Sequence, residues 1–151
     1  MEKMEEKMET NPDFLSSTSS GKHMICDFRG VRNLDLLNSV EGIQALLDLI
    51  CVKYQYQVLA RSAHAFQPIG VTVLYMLSES HISVHTFPER GYVAFDIYTC
   101  REMKTDSDYR DIYGMLLEAF DCFRGHEEGV MGVFGGGVGG GGPVILDRSF
   151  V

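Results

Sequence analysis

The chain has 151 residues, 45% of them hydrophobic and 23% charged, and a formal net charge of −8. That length suits one domain with a sizeable core, and the acidic balance argues against nucleic acid or an anionic membrane surface as the main partner while leaving room for a small cationic substrate. No apolar run is long enough to span a bilayer, and the Glu/Lys-rich stretch Met1 to Glu9 is unlike a signal peptide, so the expected location is intracellular and cytoplasmic.

Residues 1–21 are polar, end in SSTSSG, and read as a disordered arm. His23 to Phe28 alternates, with Met24, Cys26 and Phe28 on one side, and predicts a strand. Ser39 to Lys53 predicts a helix: Val40, Ile43, Leu46, Leu47 and Ile50 share a face, and Ser39 can cap it. Tyr56 to Ala60 reads as a strand, and Pro68 and Gly70 break the chain before another, Val71 to Leu77. His81 to Phe87 and Tyr92 to Thr99 are β-rich, with a turn over Pro88 to Gly91. Asp106 to Arg124 predicts the second helix, its apolar stripe running through Tyr109, Ile112, Tyr113, Leu116, Phe120 and Phe123. Val130 to Phe134 reads as a final short strand. GGGVGGGG over Gly135 to Gly142 lacks the GKS or GKT of a phosphate-cradling loop, so residues 135–151 read as a flexible tail.

The expected ordered domain is therefore 22–134. Its expected class is α+β: a two-layer sandwich of a mainly antiparallel sheet with two helices on one face, in β-α-β-β-β-α-β order. Two helices cover one face only. Tyr92, Phe95 and Tyr98 put bulky groups on both sides of one strand, which favours a homodimer that buries the other face. The four cysteines, Cys26, Cys51, Cys100 and Cys122, are widely spaced with no CxxC pair, which weakens zinc and disulfide readings.

The densest chemistry lies in Ser78 to Cys100, SESHISVHTFPERGYVAFDIYTC. One reading is a polar sheet face with His81, Ser83 and His85 alternating outward. A Ser-His hydrolase is a second, although no GxSxG elbow is present. A metal site from His81, His85 and Glu89 is a third, disfavoured by the extended character of the stretch.

The motifs Ser78-Glu79-Ser80-His81, His85-Thr86-Phe87-Pro88-Glu89 and Thr99-Cys100 closely resemble those of the bacterial and archaeal S-adenosylmethionine decarboxylases. His64-Ala65-Phe66-Gln67-Pro68-Ile69-Gly70-Val71-Thr72 and Gly21-Lys22-His23 extend the resemblance, which covers roughly residues 21 to 124. It implies a proenzyme, or zymogen, that cuts itself autocatalytically between Glu79 and Ser80. The Ser80 hydroxyl attacks the Glu79 carbonyl, His85 accepts the α-proton of Ser80, and elimination followed by hydrolysis leaves a pyruvoyl group at residue 80. The implied cofactor is that covalent pyruvoyl group, with neither pyridoxal phosphate nor a metal.

The implied activity is a lyase reaction in polyamine and spermidine biosynthesis. S-adenosylmethionine, held as a Schiff base, is converted to S-adenosylmethioninamine and carbon dioxide, with Cys100 as proton donor. Phe66, Ile82, His85 and Glu89 would bind substrate, and Thr72 would assist processing. Thr72, Phe87 and Arg101 depart from the residues common in the family, where Arg101 replaces a usual glycine. Two other readings share the scaffold: a pyruvoyl decarboxylase for ornithine or arginine, and an unprocessed regulatory paralogue.

Overall fold

The computed structural model describes residues 18–122 and 142–151. Six strands form one antiparallel sheet: β1 (Ser19–Phe28), β2 (Val58–Ala65), β3 (Val71–Leu77), β4 (Ser80–Phe87), β5 (Tyr92–Thr99) and β6 (Val144–Ser149), in spatial order β2-β3-β4-β5-β1-β6. The helices are α1 (Leu34–Leu37), α2 (Val40–Lys53) and α3 (Ser107–Ala119), and Pro88–Arg90 forms one 3-10 turn. The mainly antiparallel α+β class is as expected.

Alternation sorts the two faces. Val71, Val73, Tyr75 and Leu77 of β3, Ile82 and Val84 of β4, and Val93, Phe95 and Ile97 of β5 are buried. So are Met24, Cys26 and Phe28 of β1, and all of these join one core with Ile43, Leu47 and Ile50 of α2 and Ile112 and Leu116 of α3. Ser39 caps α2 as its position suggested, its hydroxyl accepting from the Gly42 amide at 2.9 Å. The opposite side carries His23, Thr72, Leu74, Met76, His81, Ser83, His85, Tyr92, Asp96 and Tyr98. No helix covers it among the described residues, and Leu74 and Met76 stand 43% and 58% exposed there.

Several sequence expectations are corrected. Four strands, one more than β-α-β-β-β-α-β allows, separate α2 from α3, and the short α1 precedes them. The strand expected at Tyr56 to Ala60 runs Val58–Ala65. It is the sheet edge and exposed along nearly its whole length, so no apolar alternation marks it. Ser19 to Gly21, assigned to the arm, belong to β1. Val144–Ser149, assigned to the tail, pairs antiparallel with β1, from Ile25↔Val144 to Ser19↔Ser149. Residues 1–17 of the arm, the strand expected at Val130 to Phe134 and the glycine run to 141 lie outside the described residues, as do Phe123 and Arg124 of the expected second helix.

Candidate active site

Ser78 and Glu79 form the two-residue turn of the β3–β4 hairpin, closed by the Leu77↔Ser80 pair. Ser80 has φ +142°, a region that residues with a β-carbon avoid and that costs on the order of 1–3 kcal/mol. The Cys100 amide donates to the Glu79 carbonyl at 2.8 Å, so the carbonyl before Ser80 is already polarised by a fixed main-chain donor. Glu79 also faces Arg101, whose Nε lies 2.7 Å from its carboxylate.

Gly21 explains the approach of β1 to this end. A β-carbon there would lie 1.9 Å from the Thr99 carbonyl oxygen and 2.7 Å from the Cys100 Cα, at φ +112°. The Tyr98 hydroxyl donates to the Ser20 carbonyl at 2.6 Å and the Tyr109 hydroxyl to the Lys22 carbonyl at 2.7 Å, holding the segment in place.

Cys100 is exposed, whereas Cys26, Cys51 and Cys122 are buried and all four are free thiols. Burial pushes Cys51 and Cys122 up to about 11 and Cys26 higher still, so these three behave as inert packing groups.

In the middle of the open face, His23 Nε2 and His81 Nε2 lie 2.7 and 2.8 Å from the same Asp96 oxygen. The Ser83 hydroxyl donates to the other oxygen of that carboxylate. Burial alone would raise the Asp96 pKa, but the bonds from Ser83, His81 and His23 outweigh it and hold the carboxyl below its usual range. This cluster replaces the His81, His85 and Glu89 grouping weighed from sequence. His81 and His85 are four positions apart on an extended strand, about 13 Å, so the helical spacing that would join them is absent. His23 and Asp96 come from other strands, and no local spacing signals them.

At the far end, strand pairing aligns His64, Thr72, His85, Ala94 and Asp27 in one row. The Thr72 hydroxyl lies 2.9 Å from His85 Nδ1, which fixes the ring and leaves Nε2 as its free nitrogen. Phe66, just after β2, is 49% exposed, with its ring 4.7 Å from that of His64. Glu89 is exposed in the 3-10 turn after β4. Between this end and the His23–His81–Asp96 cluster lies a depression of about 240 Å³, lined among others by Asp27, Ser83, His85 and Ala94. Buried Thr86 serves the scaffold, since its hydroxyl donates to the Leu37 carbonyl at 2.5 Å and accepts from the Val71 amide at 2.9 Å.

This geometry bears on two of the expected roles. Ile82 is fully buried on the helix-covered side, away from the open face. Its neighbours His81 and Ser83 take the open positions, as strand alternation requires. Ser80 and His85 stand at opposite ends of β4, five residues or about 16 Å apart, so a single chain does not bring them together.

The family model for S-adenosylmethionine decarboxylase matches residues 22–126. The chain belongs to the S-adenosylmethionine decarboxylase family. A relative from Methanococcus maripaludis (strain DSM 14266), an "S-adenosylmethionine decarboxylase proenzyme", is 42% identical over 119 residues, which is 70% of this chain and 89% of that protein. One of the same name from Brevibacillus brevis is 45% identical over 88 residues, 58% of this chain and 65% of that one. The match thus spans just under two thirds of the Brevibacillus protein. The crystal structure of the adenosylmethionine decarboxylase from Aquifex aeolicus superposes with a TM-score of 0.68 at 26% identity, covering 89% of this chain and 95% of that one. The expected family is therefore confirmed. Among the described residues, no helix is long and apolar enough to cross a membrane.

Proposed function

We propose that the chain is the proenzyme of a pyruvoyl-dependent S-adenosylmethionine decarboxylase of polyamine synthesis, acting in the cytoplasm, which cuts itself between Glu79 and Ser80. The observation that carries this reading is the Glu79–Ser80 junction itself. It sits on a two-residue turn, with Ser80 at φ +142° and the Glu79 carbonyl held by the Cys100 amide at 2.8 Å. Strain raises the energy of the amide, and a fixed donor stabilises negative charge as it develops on the attacked oxygen.

Ser80 Oγ adds to the Glu79 carbonyl carbon, the Glu79–Ser80 amide bond breaks, and an ester remains. A base then takes the Ser80 α-proton while the Cβ–Oγ bond breaks and Glu79 leaves as a carboxylate. Water replaces nitrogen at the dehydroalanine, releasing ammonia. These steps need only the chain and water, which fits a group made from Ser80 in place. The pyruvoyl group supplies a ketone that captures the substrate amine and accepts the electrons freed with carbon dioxide.

The other residues divide between the ends of the open face. Cys100 is exposed beside the junction and delivers a proton from Sγ to the substrate Cα. Phe66 and His85 offer rings for the adenine, and Glu89 accepts from the ribose hydroxyls. His85, oriented by Thr72, is the base for processing. With Ser80 about 16 Å from His85 along β4, the base comes from a second copy. A two-fold axis lying between the two open faces and perpendicular to the strands sets the hairpin end of one chain against the His85 end of its partner and covers Leu74 and Met76. The homodimer is thus a condition of the chemistry as well as of burial. The relatives above are named for S-adenosylmethionine, and none for ornithine or arginine.

Intact-mass measurement tests the reading. Two chains should appear, 1–79 and a pyruvoyl-blocked 80–151, while Ser80→Ala stays whole. Cys100→Ala should still cleave but lose most turnover and accumulate an alanyl terminus through misplaced protonation. A wild-type protein that is active while remaining one full-length chain would overturn the pyruvoyl reading.

A further inference from the structure

Arg101, which stands where the family commonly has glycine, makes a dense set of contacts at the junction. Its Nε and Nη2 donate to the two Glu79 carboxylate oxygens at 2.7 and 2.8 Å, a two-point fork. Nη1 donates to the Tyr54 carbonyl at 2.7 Å and Nη2 to the Gln55 carbonyl at 3.2 Å, so the guanidinium is anchored where α2 ends. Its Cζ lies 4.6 Å from the centre of the buried Tyr56 ring. The plane of the guanidinium is therefore set by the body of the protein, independently of Glu79. The side chain is 30% exposed and that of Glu79 26%.

We propose that Arg101 is a positioning residue for self-cleavage, clamping Glu79 so that its carbonyl is presented to Ser80. The proposal rests on the reading that the chain cuts itself at Glu79–Ser80. Cys100 and Arg101 are consecutive, and they grip Glu79 at two different points: the first holds its main-chain carbonyl, the second its side chain. Either grip alone leaves the tip of a two-residue turn free to rotate. Together they fix the carbonyl carbon before Ser80 Oγ attacks, which removes conformational freedom that the acyl shift would otherwise have to freeze. Arg101 also neutralises the Glu79 carboxylate. Unpaired, that carboxylate would oppose the negative charge developing on its own carbonyl oxygen. A glycine at this position provides neither function, so the clamp is a property of this chain.

The test follows the full-length chain, made by cell-free translation and chased over time, with intact chain and fragments counted by mass. Arg101→Gln should slow cleavage about tenfold, the scale of a lost charge-assisted pair. Arg101→Lys, which keeps the charge but not the fork, should fall between it and wild type. Glu79→Gln leaves the Arg101 anchorage on Tyr54 and Gln55 intact and should also cleave slowly. The double variant should be no slower than Arg101→Gln alone, because both changes break one interaction. Arg101→Gln cleaving at the wild-type rate would overturn the clamp, as would slowing in the double variant equal to the product of the two singles. If Arg101→Gln loses its thermal transition, Glu79→Gln decides: slow cleavage supports the clamp and a wild-type rate refutes it. A wild-type chain that never cleaves would instead refute the self-processing reading, and the clamp with it.

Discussion

The two ends of the open sheet face are built differently. At the hairpin end the main chain does most of the positioning: the φ of Ser80, the Cys100 amide on the Glu79 carbonyl, and a Gly21 that admits no β-carbon. At the opposite end the arrangement rests on side chains, with Thr72 against His85, a half-exposed Phe66 and an exposed Glu89. The proposed cleavage junction is thus organised within one chain, and β4 separates it from the far end by about 16 Å. The difference underlies the proposal that local backbone activates the peptide while a second copy supplies the base.

Complementation between chains is the strongest way to break that comparison. Ser80→Ala and His85→Ala should each abolish cleavage when expressed alone. Co-expressed in equal amounts, about half of the His85→Ala chains should cleave, since random pairing puts about half of them against a partner with an intact His85. The Ser80→Ala chains should all stay whole. Mass spectrometry distinguishes the two chains. If no His85→Ala chain cleaves in the mixture, the second copy does not supply the base, and the two ends do not cooperate across a dimer.

A smaller effect should sharpen the description of the far end. Thr72→Val removes the hydroxyl that holds His85 Nδ1 while nearly preserving volume. Cleavage should slow about tenfold, the cost of a lost orienting hydrogen bond in a partly buried site. Thr72→Ser should stay close to wild type, because the hydroxyl and not the methyl is used. Equal rates for valine and serine would make the 2.9 Å contact incidental to processing.

The sequence exposed the hairpin end far better than the interplay between ends. Ser78 to Cys100 is contiguous, and its motifs are dense enough to show the junction and the thiol. The faces were also legible: alternation from His81 through His85 turns Ile82 toward the helices, although the family resemblance assigned it to a pocket. The 16 Å gap was implicit in the same count of five residues along a strand, but it acquires meaning only once β4 is seen to pair with β5 from Ser80 to Phe87. The edge strands were hardest to place. β2 is exposed along its length, and β6 follows a glycine run, so neither carries the apolar periodicity of a core element. Arg101 was visible as a departure from the family. Its partner Glu79 lies 22 positions away, a contact made only when β5 ends beside the hairpin turn.

The smallest expected effect concerns Asp96, which lies between the two ends and ties three strands together. It accepts from His23 of β1, and from His81 and Ser83 of β4, while itself on β5. Although burial opposes its charge, these bonds hold its folded pKa below the ordinary value of about 3.9. A depressed carboxyl pKa contributes stability that is present above the unfolded-state value and is lost as pH falls through the folded one. Urea midpoints of wild type and Asp96→Asn should therefore differ most above about pH 5, and the gap should narrow below about pH 4. Above pH 5 the difference should be on the order of 1–2 kcal/mol, since asparagine can keep part of the network but not the charge. A gap that stays constant down to pH 3 would mean that the carboxylate is not what the two histidines and Ser83 stabilise. The centre of the face would then act as neutral packing between its two working ends.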